Sequence, residues 1–223
     1  MKKFAVLVAG GSGSRMNSAV PKQFLLLKGK PVLYYTIHTF LQADADIQLI
    51  LVLPQDHLTA GQELINTYFP AASIQIIAGG DTRFQSVKNG LTLVEPDSIV
   101  FVHDAVRCLL SVQLIHLCAE AVKAKGAVIP VVPSKDSVRI VEANLNRSVD
   151  RNSIQLVQTP QVFLSNILLP AFNVSYQPSF TDEASVVELT GTTIHLIEGE
   201  ERNIKITHPS DLLIAEYLLQ QTT

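Results

Sequence analysis

The chain has little of what marks several protein classes. Of its 223 residues only two are cysteine. Cys108 and Cys118 form no Cys-x-x-Cys pair, which removes a zinc or disulfide framework and points to reduced thiols. Charged residues make up 17%, too few for a disordered or surface-dominated protein. Basic residues are not in excess: 17 Lys and Arg stand against 20 Asp and Glu, a net charge of −3. That balance argues against a nucleic-acid partner, whose footprint is a basic stripe. Long apolar runs are missing too. Met1-Lys2-Lys3 leads into an apolar stretch of roughly seven residues, too short for a signal core or a membrane span. The expected compartment is the cytoplasm, with no membrane partner. What is abundant is apolar residues, 47% of the chain, enough for one sizeable α/β domain over residues 1–223.

The most informative stretch is Ala9-Gly10-Gly11-Ser12-Gly13-Ser14-Arg15-Met16, with Pro21-Lys22 close behind. It follows Phe4-Ala5-Val6-Leu7-Val8, a β-forming run that reads as a buried first strand. The glycines allow a sharp turn and close approach of backbone to a ligand. Exposed N–H groups in such a turn suit an anion, and Arg15 and Lys22 bring a guanidinium fork and a point charge. The bland alternative is a glycine-rich strand-to-helix turn. The dinucleotide fingerprint fails, because Met16 stands where its third glycine is needed and no acid ends the second strand. A P-loop fails as well, since no Gly-Lys-Ser/Thr follows.

Helical patterns over 32–41, 58–69, 84–94, 114–125, 167–172, 183–189 and 212–220 alternate with apolar β-branched runs over 47–53, 73–78, 99–102, 127–132 and 194–197. This predicts a doubly wound, mostly parallel α/β sheet of Rossmann-like type, with antiparallel late strands as the open alternative. Ligands of such sheets bind at the carboxyl ends of strands. The segments expected there are Gly79-Gly80-Asp81-Thr82-Arg83, His103-Asp104-Ala105-Val106-Arg107 and Pro133-Ser134-Lys135-Asp136. Gly80 would admit a flat base, with Asp81 and Ser86 as hydrogen-bonding groups; equally, Asp81 could cap the next helix. Asp104 could cap a following turn, but a carboxylate at a strand tip facing phosphates is also a natural Mg²⁺ ligand. His103 reads as a packed histidine rather than a base.

Residues 135–156 break the rhythm. Val138–Val141 and Ser148–Asn152 read as a protruding hairpin, the β-arm, around a turn containing Asn144 and Asn146. It has too few apolar residues to bury itself, so it is expected to pack on a partner subunit or on its own. Thr181 reads as a helix cap. Asn203-Ile204-Lys205-Ile206-Thr207 reads as a short strand whose lysine could hold a phosphate, before a helix begun at His208-Pro209.

These motifs, with Val149-Asp150-Arg151, Thr159-Pro160-Gln161 and Thr181-Asp182-Glu183-Ala184, occur in order along essentially the whole chain. The set resembles the 2-C-methyl-D-erythritol 4-phosphate cytidylyltransferase family, apart from Cys108 where proline is usual and Ser137 where threonine is common. The resemblance implies transfer of a cytidylyl group from CTP to 2-C-methyl-D-erythritol 4-phosphate, giving CDP-methylerythritol and pyrophosphate, with Mg²⁺, in non-mevalonate isoprenoid synthesis. It implies Arg15 and Lys22 as transition-state stabilisers, with Arg151 and Lys205 gripping the attacking phosphate. Ala9, Gly10, Gly11, Gly80, Asp81 and Ser86 would hold CTP. Asp104, Ala105, Arg107, Ser137, Thr159 and Thr181 would line the acceptor end, and a homodimer would form through the arm. A ribitol 5-phosphate cytidylyltransferase is the near alternative. A dinucleotide-binding oxidoreductase and a non-catalytic nucleotide binder are remote ones.

Overall fold

The computed structural model describes residues 1–9, 20–143 and 145–221. Along the chain run β1 (Lys2–Val8), the short pair β2 (Leu26–Leu27) and β3 (Lys30–Pro31), α1 (Val32–Ala43), β4 (Gln48–Leu53), α2 (Leu58–Tyr68), β5 (Ile74–Ala78), α3 (Arg83–Leu91) and β6 (Ser98–Asp104). Then follow α4 (Val112–Lys125), β7 (Ala127–Pro133), β8 (Val138–Glu142), β9 (Leu145–Val149), β10 (Gln155–Val157), β11 (Gln161–Leu164), α5 (Ser165–Ala171), α6 (Glu183–Glu188), β12 (His195–Glu198) and α7 (Pro209–Gln220).

The main sheet has the order β10-β7-β11-β6-β1-β4-β5, with β12 also paired to β7. β1 lies between β4 and β6 and runs parallel to both, and β5 extends the parallel half. The two faces of β1 separate by the strand's period of two. Ala5 and Leu7 join a core with α1, α2 and α4, where Leu33, Phe40, Leu64 and Leu114 are buried. Phe4, Val6 and Val8 join the opposite core with Phe84 and Val87 of α3 and Leu168 of α5. Burial on both faces explains why these strands read as unbroken apolar runs. A third cluster seats α7, through Ala215, on Val32, Val106, Cys108 and Ile206. Cys108 and Cys118 are both buried and free. Burial pushes the Cys108 thiol up to about 12, so it behaves as a small apolar side chain.

The doubly wound, mostly parallel expectation holds, with three corrections. β10 and β11 are strands that the pattern missed, and both run antiparallel to β7. They are short, three and four residues, and a polar turn separates them. Residues 203–207 form no strand: the segment has no regular structure, and Ile206 N–H donates to Val106 O at 3.0 Å. The helix caps fall one residue later than expected. Thr82, not Asp81, caps α3 by accepting from Gln85 N–H, and Asp182, not Thr181, caps α6 within a capping box with Ser185.

The arm is a two-stranded antiparallel sheet of its own, β8 with β9, in register Val138↔Val149 to Glu142↔Leu145. Asn146 therefore lies within β9 rather than in the turn, and Asn144 lies outside the described residues. Val141 and Leu145 are 71% and 77% exposed, so the arm buries almost nothing within its own subunit.

Candidate active site

Strand β6 ends in Asp104, and the chain then turns tightly, with Arg107 N–H donating to Asp104 O at 2.9 Å. The Asp104 carboxylate is buried and is a hub for three cations. Arg83 Nε lies 3.3 Å from Oδ1, and Lys205 Nζ lies 2.9 Å from Oδ2. Arg107 Nε stands 3.5 Å from Oδ2, within ion-pair range but beyond a hydrogen bond. Burial alone would push this carboxyl up; Arg83, Lys205 and Arg107 outweigh it and hold the group well below the usual carboxylate range. Arg83 is clamped in turn by Glu183, which meets both of its terminal nitrogens. Burial pushes the Glu183 carboxyl up from its ordinary value, partly offset by Arg83.

His103 is fully buried and packs edge-on to Phe40. Its Nε2 is 3.1 Å from Arg107 O, an oxygen that only accepts, so Nε2 carries the hydrogen. Nδ1 is then the acceptor for the Thr159 hydroxyl at 3.0 Å, and Thr159 Oγ1 accepts from Asp104 N–H at 3.1 Å. Desolvation lowers the imidazole to about 4. A neutral ring with both nitrogens occupied inside the protein is a fixture, which agrees with reading His103 as packed. Asn203 extends the network, donating to Thr159 O at 2.8 Å, and Arg107 Nη1 donates to Asn203 O at 2.8 Å.

Asp104, Arg107, Lys205, Thr159 and Thr181 thus come together around one cavity of about 230 Å³, which Arg83, Gln161 and Asp182 also line. Lys22 reaches the same segment as Lys205, donating to Ile206 O at 3.1 Å. Ala9 is held at the tip of β1 by its N–H to Val52 O and by Gln23 Nε2 on its own oxygen. Gly80 donates to Ser86 Oγ at 3.1 Å, which ties the loop after β5 to α3, while Asp81 is exposed beside it. A side chain at Gly79 would strike Ser86 Oγ at 2.8 Å, so glycine is what lets this loop close on the helix.

Other expected site residues stand apart. Ala105 is fully buried, its N–H bonded to Val8 O and its oxygen to Thr36 Oγ1, so it supports the loop from behind the cavity. Ser137 and Arg151 are exposed at the base of the arm, and Arg151 Nη1 donates to Lys135 O at 3.1 Å. Neither belongs to the cavity wall of its own subunit. Gly10, Gly11 and Arg15 lie outside the described residues.

The sequence matches the profile of the family described as 2-C-methyl-D-erythritol 4-phosphate cytidylyltransferase over residues 4–221. The chain belongs to this family. Its relative of that name from Phocaeicola vulgatus is 45% identical over 219 residues, covering 98% of this chain and 100% of the relative. The counterpart from Azobacteroides pseudotrichonymphae is 46% identical over 98% of this chain and 99% of its own. Among solved structures, a 4-diphosphocytidyl-2C-methyl-D-erythritol synthase from Anaerococcus prevotii superimposes with a TM-score of 0.84 at 27% identity, covering 98% and 96% of the two chains. The enzyme from Thermus thermophilus gives 0.79 at 29% identity over 99% and 100%. The chain is therefore a nucleotidyltransferase, and its mixed sheet with a protruding arm is the fold of these enzymes.

Asp104 does not fit the role of metal ligand. Both of its oxygens already face cationic side chains, and a divalent ion there would have to displace them. Among the described residues no three of His, Cys, Asp and Glu stand close enough to hold a metal. In this structure Asp104 organises cations. Arg83 and Glu183 are members of this cytidylyltransferase site to which the motifs assigned no role. One signal was legible. Arg83 is the first residue of α3, where a cation opposes the helix dipole, so only tertiary partners justify it. Glu183 opens α6, where an acid suits the dipole, and so gave no such sign.

Proposed function

We propose that this enzyme transfers the cytidylyl group of CTP to 2-C-methyl-D-erythritol 4-phosphate, giving CDP-methylerythritol and pyrophosphate for isoprenoid precursor synthesis. The observation that carries the reading is the cluster of Lys205, Arg107 and Arg83 on one buried carboxylate, with Lys22 bonded one residue from Lys205. This is an anion-binding cavity at the carboxyl ends of the strands, where nucleotide and acceptor phosphates must meet.

An oxygen of the acceptor's phosphate attacks the α-phosphorus in line. The bond from that phosphorus to the bridging oxygen breaks, and the electron pair leaves with pyrophosphate. The attacking group is already an anion, so no general base is required, consistent with a neutral, fully bonded His103. Lys22 would neutralise charge growing on the α-phosphate and leaving group. Lys205 would aim the attacking phosphate, with Arg15 and Arg151 as further cations. Gly80, Asp81 and Ser86 would hold the base. Any Mg²⁺ would arrive with the triphosphate as its ligand, since Asp104 does not supply a site.

Arg151 lies away from its own cavity on an arm with exposed Val141 and Leu145, which supports a homodimer whose arm completes the partner's site. Among the described residues no helix is long and apolar enough to cross a membrane, and we read the compartment as the cytoplasm. The assay that decides is pyrophosphate release from CTP and Mg²⁺ with each polyol phosphate in turn. Methylerythritol 4-phosphate is expected to be used; faster release with ribitol 5-phosphate would overturn the assignment of substrate.

A further inference from the structure

We infer that Arg83, clamped by Glu183, is a positioning residue for the acceptor: it fixes the Asp104 carboxylate so that Lys205 is aimed at the incoming phosphate. The inference rests on the functional reading above and adds a residue pair to it.

Arg83 spends its three kinds of nitrogen on two acids from different parts of the fold. Nη1 and Nη2 grip Glu183 at the start of α6, and Nε reaches Asp104 Oδ1 at the tip of β6. Glu183 is 1% exposed, and this contact offsets part of the cost of burying its charge. The guanidinium therefore braces the wall that carries Thr181 against the strand tip that carries Asp104.

The division of the carboxylate's two oxygens gives the brace its purpose. Oδ1 belongs to Arg83, whereas Oδ2 is shared by Lys205 at 2.9 Å and Arg107 Nε at 3.5 Å, a buried donor with no hydrogen bond of its own. When the Lys205 ammonium swings to a phosphate, Oδ2 has Arg107 to fall back on, and Oδ1 does not move. Without Arg83 the carboxylate loses the partner that Oδ1 has among the described residues. It would then turn its whole charge on Lys205 and compete with the phosphate. Charge acts the same way. The five groups Arg83, Arg107, Lys205, Asp104 and Glu183 sum to one positive charge, and loss of Arg83 alone makes these groups neutral together. Lysine cannot replace the fork, because a single ammonium cannot meet two acids in these directions.

The test uses the full-length enzyme with CTP and methylerythritol 4-phosphate, comparing Arg83→Lys and the paired change Arg83→Met with Glu183→Met. The paired change removes both partners of the buried ion pair, which preserves folding where a single change leaves an unpaired charge. Both variants are expected to raise the acceptor KM by about tenfold or more, with the CTP KM within about twofold and, for the pair, a Tm that leaves the enzyme folded at the assay temperature. A stable paired variant with native kcat and acceptor KM would show the brace to be structural and overturn the inference alone. So would equal increases in both KM values. No turnover by the unaltered enzyme would overturn the functional reading and this inference with it.

Discussion

Thr159 donates its hydroxyl hydrogen to His103 Nδ1 across 3.0 Å while accepting the amide of Asp104 at 3.1 Å. One hydroxyl so joins the turn between β10 and β11 to the tip of β6. Thr159 was expected among the acceptor's ligands; it does line the cavity, but its hydroxyl is committed to the wall.

Thr159→Val should therefore act first on stability. It leaves a buried amide and a ring nitrogen without partners, a loss of about 1–3 kcal/mol. Thr159→Ser keeps the hydroxyl and should lose less than half as much. Urea unfolding of the two variants checks this, and equal losses would mean that the methyl group, not the hydroxyl, matters.

His103 makes stability depend on pH. The unfolded imidazole protonates near 6.5 and the folded one only near 4, because burial opposes its charge. Asp104 and the Arg107 carbonyl favour its protonation, the Arg107 and Arg83 guanidinium groups oppose it, and Phe40 closes the apolar side; Asp104 is itself paired with Arg83, Arg107 and Lys205. Between those values the unfolded chain binds the extra proton, so stability falls with falling pH by up to about 1.4 kcal/mol per unit. His103→Asn should flatten the profile between pH 6.5 and 5. A variant that keeps the wild-type slope there would assign the effect to another group.

Lys22 is a transition-state group in the proposed mechanism. Its replacement by Ala should lower kcat by about a hundredfold or more, with a much smaller change in the KM for CTP. A near-normal kcat with a raised KM would reduce Lys22 to a ground-state contact.

The arm yields a mixing experiment. Lys22→Ala and Arg151→Ala homodimers should both turn over poorly. If the arm completes the partner's site, subunit exchange gives heterodimers in which one site has both native residues. Random pairing then restores up to about a quarter of native activity. Confirmed exchange without recovery would return Arg151 to its own subunit's site.

Much of this protein was legible in one dimension. The apolar strands and the alternation with helices predicted the doubly wound sheet, because burial on both faces writes itself as continuous β-branched runs. The glycines and cations at strand ends pointed to the cavity that Asp104, Arg107 and Lys205 line, because an open parallel sheet collects its loops there. Lys205 was legible as an unusual lysine between apolar neighbours, although its segment forms no strand. Short β10 and β11 were not, since three or four residues carry no period and their pairing to β7 is made by distant partners. That Asp104 gathers three cations was beyond sequence for the same reason. Residues 83, 104, 107, 183 and 205 are scattered over more than half of the chain, and only the packing of α3, α6 and the last loop on β6 decides which charges meet. Local chemistry names the candidates; distance within a low-dielectric wall sets what each one does.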